Sequence, residues 1–113
     1  MSESNLFLKE KPTLRDFQEY IKKMKAQRGF ATDSKPVECM LMAEEVGELF
    51  SAIRKNTKGG MVGSGSSIGN VKLELADVFM YLCSIANQHE IDLEEAFREK
   101  EEINKKRTWR TIE

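Results

Sequence analysis

Three features of this sequence predict an all-α fold. Apolar residues recur three and four positions apart in four separate segments. Helix-start and helix-stop residues bracket those segments. Only two prolines occur and β-branched residues are sparse. Four such segments suit a helical bundle. At 113 residues the chain has room for one domain, with residues 1–12 as an N-terminal arm and 57–69 as a flexible link.

In the first segment Thr13 is placed to cap a helix, with Asp16 three residues on in a capping-box position. Leu14, Phe17, Ile21 and Met24 recur at helical spacing, and Gly29 marks the stop after Arg28. Phe30 follows, in a loop with Thr32, Asp33 and Ser34, as either a loop anchor or a pocket wall. The second helix is expected from about Pro36 to Asn56, with Pro36 in its first turn. Cys39, Met42, Val46, Leu49, Phe50 and Ile53 cluster on one face. Glu45 borders that face, Glu48 lies further round, and Glu44 points away into solvent. Gly47 leaves room for another helix or a ligand to approach.

Residues 57–69 are rich in glycine and serine and read as a linker. No Gly-Lys-Ser/Thr follows and no strand precedes, so a phosphate-binding P-loop is not expected. Ser66 or Ser67 is the candidate cap for the third helix, expected over about Asn70 to Gln88. That helix is apolar on two sides, with Val71, Leu75, Phe79 and Leu82 on one and Leu73, Ala76, Met80 and Cys83 on the other. Between them runs a narrow polar strip containing Glu74, Asp77, Tyr81 and Ser84. A helix apolar on two sides belongs inside an assembly, so its polar strip is not ordinary surface. His89, the only histidine, falls at the helix end as a cap or surface residue. Asp92 and Glu95 open a fourth helix running to about Arg107. Leu93, Ala96, Phe97 and Ile103 form its buried stripe, and Lys100, Asn104 and Arg107 fall on that stripe. Trp109 is expected to pack on a neighbour.

Charged residues make up 33% of the chain and the net charge is -1, as in a soluble globular protein without the basic surface of a nucleic-acid binder. No apolar run approaches the roughly 18 residues that a membrane span needs. The first residues lack the basic and apolar regions of a signal peptide. Cys39 and Cys83 sit among apolar helical residues and read as buried free thiols, which points to the cytoplasm.

The chemistry lies in two acid pairs. Glu45 and Glu48 sit three residues apart, and so do Glu74 and Asp77. On a helix this spacing puts both acids on one side, about a turn apart. Four carboxylates on two facing helices would suit a hard divalent cation, foremost Mg²⁺.

Together these features resemble the MazG-like nucleotide pyrophosphohydrolases of the all-α NTP pyrophosphatase superfamily. The matching residues are Glu45-Val46-Gly47-Glu48, with Glu44 doubling the first acid, and Glu74-Leu75-Ala76-Asp77. Weaker matches are Lys100, Asn104 and Arg107, and the Arg28-Gly29-Phe30 turn. The resemblance runs from about Thr13 to Trp109. It implies a four-helix bundle-like MazG fold completed by dimerisation, as a homodimer or homotetramer. It implies cleavage of a nucleoside triphosphate between its α- and β-phosphates, to monophosphate and pyrophosphate, removing noncanonical or surplus nucleotides. Mg²⁺ is the expected cofactor, with Mn²⁺ as a substitute. Glu45, Glu48, Glu74 and Asp77 would be the ligands, with the proton taken by Glu45 or Glu48. Lys100, Asn104 and Arg107 would hold phosphate oxygens. Phe17 or Phe30 would stack on the base, with Gln18 at its edge. Two alternatives share these features: a non-catalytic helical dimerisation module, and a phosphoribosyl-ATP pyrophosphohydrolase-like enzyme. A di-iron bundle would want Glu-x-x-His pairs, and none is present.

Overall fold

The computed structural model describes residues 5–30 and 33–113, so positions 1–4 of the arm, where a signal peptide would begin, and Thr32 of the loop lie outside the described residues. Four helices follow in order: α1 (Leu14–Arg28), α2 (Lys35–Asn56), α3 (Val71–Gln88) and α4 (Leu93–Lys105). There is no strand among the described residues.

The helix ends have local causes. Thr13 and Asp16 form the expected capping box, with Thr13 N–H donating to Asp16 Oδ2 at 2.8 Å and Asp16 N–H to Thr13 Oγ1 at 3.1 Å. Gly29 ends α1 at φ 84°, a left-handed conformation that glycine adopts at no steric cost. Ser34 caps α2 by accepting from the Val37 N–H, and the helix begins one residue earlier than Pro36 suggests. Asn70, not Ser66 or Ser67, caps α3, because its side-chain oxygen accepts from the Leu73 N–H. Asp92 caps α4, which stops at Lys105, two residues short of Arg107.

α2 and α3 pack on each other most extensively; α1 lies on α3, and α4 is attached through α1. Ile21, Met24 and the fully buried Cys83 form a core, with Phe17, Tyr20, Phe79 and Leu93 against it. Phe17 meets Phe79 edge to face, with centroids 5.3 Å apart and planes at 88°. Gln18 ties three elements together. Its Nε2 donates to Asn87 Oδ1 and the Ile91 carbonyl, and its Oε1 accepts from the Leu93 N–H.

One chain leaves much apolar surface in water. Phe50 on α2, Leu73 and Leu75 on α3, and Phe97 and Ile103 on α4 are all exposed. The radius of gyration is 17.6 Å, against about 13 Å for a compact domain of this length. Two expectations are corrected accordingly. Cys39 is exposed, on a different side of α2 from the buried Glu38 beside it. Trp109 is exposed too, with the Arg107 guanidinium 5.1 Å from its ring centroid.

Candidate active site

The paired helices α2 and α3 bring three acids together. One oxygen each from Glu45, Glu48 and Glu74 lies within 4.8 Å of the others. Glu45 and Glu74 are half-buried and Glu48 is exposed. In both half-buried acids Oε2 is shut off from water with no hydrogen-bond partner. A buried carboxylate oxygen without a donor is costly, so a divalent cation fits this donor set: it would satisfy both orphaned oxygens with the hard oxygen ligands it prefers. Glu44 is exposed, in keeping with its solvated position on the helix.

The charges act on one another in the expected sense. Burial, then the neighbouring Glu48 and Asp77, push the Glu45 carboxyl up to about 7. Glu74 is raised for the same reasons, with burial the largest. Asp77 stands near enough to raise Glu45 and lines the same cavity, although it is outside the group of three. The end of the link also presses on the site: a Cβ at Gly69 would sit 3.1 Å from Ala52 Cβ and 3.5 Å from Glu74 Oε1. At Gly47 a Cβ would meet nothing within 4 Å among the described residues.

Beside the acids is a cavity of about 180 Å³, with Glu45 and Asp77 at one side. Lys25, Arg28, Phe30, Tyr81 and Ser84 form other parts of its lining. Burial and the nearby Glu45 raise the Tyr81 hydroxyl, which stays protonated. Cys83, pushed up to about 11 by burial, is an inert core thiol.

Of the expected base contacts, only Phe30 lines this cavity. Phe17 is taken up by the core, and the Gln18 amide is committed to its three structural partners, so neither is free for a base edge. Lys100, Asn104 and Arg107 do not line the cavity, which draws on α1, α2, α3 and the loop after α1. Lys100 is exposed, and Arg107 donates to Asn104 Oδ1 at 3.5 Å. The stripe they were placed on packs on the core at Leu93, but its later part, at Phe97, Lys100 and Ile103, is exposed. Sequence reasoning passed over Lys25, which borders the Ile21–Met24 stripe, and Glu38, an acid in the apolar first turn of α2. A charge at the edge of an apolar face was the available signal in both cases.

Residues 38–111 match the family model of the MazG nucleotide pyrophosphohydrolase domain. Comparison with the curated proteins brings no match. The matched segment contains both acid pairs and covers well over half of the chain, so the chain belongs to the MazG nucleotide pyrophosphohydrolase family.

Proposed function

We propose that this protein is a Mg²⁺-dependent nucleoside triphosphate pyrophosphohydrolase, converting a ribo- or deoxynucleotide to its monophosphate and pyrophosphate and so clearing noncanonical or surplus nucleotides. The observation that carries the reading is the convergence of Glu45, Glu48 and Glu74 around two orphaned buried oxygens, beside a cavity. Glu45, Glu48, Glu74 and Asp77 would hold the metal. Bound there, a divalent cation offsets the repulsion between these carboxylates and the roughly four negative charges of a triphosphate.

The chain's own residues supply the rest. A water held at the acids attacks the α-phosphorus in line; its oxygen joins phosphorus, the bond to the bridging oxygen breaks, and pyrophosphate leaves. Glu45 or Glu48 would accept the water's proton, since both stand at the acids where that water is held. Phe30 offers a face for the base. Lys100, Asn104 and Arg107 remain candidates for the phosphates through a second copy of the chain, in a homodimer or homotetramer. The exposed apolar faces of α2, α3 and α4 support association, and the two free thiols suit a reducing cytoplasm.

The test is a pyrophosphate-release screen over canonical and modified nucleotides with Mg²⁺, including phosphoribosyl-ATP. The expected result is metal-dependent release that Glu45→Ala or Asp77→Ala abolishes while helical content and association persist. A purely associative module would release nothing from any nucleotide, and wild type and variants would be indistinguishable.

A further inference from the structure

The cavity wall contains an ion pair that the hydrolysis itself does not use. Lys25 of α1 contacts Glu38 in the first turn of α2. Glu38 is fully buried, and the Lys25 side chain is only 13% exposed. Lys25 Nζ also donates to Ser84 Oγ on α3 at 2.8 Å and stands 5.8 Å from the Tyr81 ring centroid. An ammonium has three N–H donors; Ser84 takes one, and Glu38 pairs with the charge. Lys25, Ser84 and Phe30 line both the cavity beside the acids and a second one of about 250 Å³. The cation therefore stands on the wall that the two cavities share.

A buried ion pair adds little to stability, because desolvation consumes most of the Coulombic gain. It does fix a donor in space. The pair with Glu38 is neutral overall, which makes Lys25 a poor partner for a highly charged phosphate chain. A fixed, charge-assisted N–H instead suits a neutral acceptor. Burial pulls the ammonium below the usual lysine range, while Asp33 acts the other way.

We propose that Lys25 is a specificity-determining residue that donates to a carbonyl oxygen of the substrate's base, and that Glu38 is the positioning residue that holds it there. The substrate class is then nucleotides whose bases carry a carbonyl, over adenine, whose amino group would turn an N–H toward the ammonium. The inference rests on the nucleotide reading of the cavity.

The experiment measures binding, with Mg²⁺, of the α,β-imido analogues of dUTP and dATP and of inorganic tripolyphosphate to the full chain. Lys25→Met should weaken the dUTP analogue by about tenfold or more, the scale of one hydrogen bond to a charged group. It should leave tripolyphosphate and the dATP analogue within about twofold of wild type, below the scale of one such bond. Glu38→Gln should act in the same direction and less strongly. The double variant Lys25→Met/Glu38→Met replaces the pair with apolar side chains, which buried pairs often tolerate, and should lose the dUTP preference while remaining folded. Equal weakening of tripolyphosphate would make Lys25 a phosphate ligand and overturn the proposal, as would an undiminished dUTP preference in the folded double variant. A wild type that binds none of the three overturns the nucleotide reading and this proposal with it; a wild type that binds them as its variants do overturns this proposal alone.

Discussion

Glu45 carries the clearest consequence at the residue scale. Its carboxyl is raised from 4.5 to about 7 by burial and by its acidic neighbours. The folded state therefore holds the proton more tightly than the unfolded chain. Without metal, stability from this group is fully present below about pH 4.5 and declines as pH rises through about 7. Melting curves in EDTA should show Glu45→Gln more stable than wild type at pH 8, with the difference closing by pH 5. Because a ligating carboxylate must be ionised, Mg²⁺ binding near pH 6 should release protons. Calorimetry in buffers of different ionisation enthalpy would detect the release, and Glu45→Gln should reduce it. Catalysis should follow: loss of a general base costs about 10²–10⁴ in rate, so Glu45→Gln should lose at least that much pyrophosphate release.

At the scale of elements, the junction of α1, α3 and α4 depends on one amide. Gln18→Ala removes two donated bonds and leaves the half-buried start of α4, at Leu93, without an acceptor. The expected cost is about 2–3 kcal/mol of stability, read from urea unfolding, with the ratio of activities on different bases unchanged. A selective change in base preference would restore Gln18 to the pocket. The same residue shows what the sequence conveys. Helix starts at Thr13 and Asp92 were legible because each polar side chain accepts from a backbone N–H three residues away. The acid pairs were legible because three-residue spacing fixes a face. Gln18, Lys25 and Glu38 owe their roles to partners more than ten residues distant, and no local spacing encodes those meetings. Asn70 was passed over as a cap because the serines before it offered the same chemistry.

At the scale of the whole molecule, the exposed apolar faces set the expectation. A chain with a radius of gyration of 17.6 Å and Phe50, Phe97 and Ile103 in water is an unfinished core. Sedimentation should give at least twice the 13.0 kDa chain mass. Phe97→Asp or Ile103→Asp should shift the protein toward the single chain, by burying a charge where the apolar stripe would pack. If association brings Lys100, Asn104 and Arg107 to the acids, activity should fall with it as the protein is diluted. A stable, fully active single chain would remove those three residues from the site. The fourth helix was placed correctly in the sequence but its inward stripe was not, since a stripe shows that a partner is needed and not which chain provides it.

Mn²⁺ titration followed by electron paramagnetic resonance tests most directly whether the carboxylates of α2 and α3 serve one ion. Wild type should bind Mn²⁺. Glu45→Gln, Glu48→Gln and Glu74→Gln should each weaken binding by about tenfold or more, the cost of losing one charged ligand, and Glu44→Gln should leave it unchanged. Binding that survives in all three variants, or that Glu44→Gln weakens as much as they do, would contradict the account.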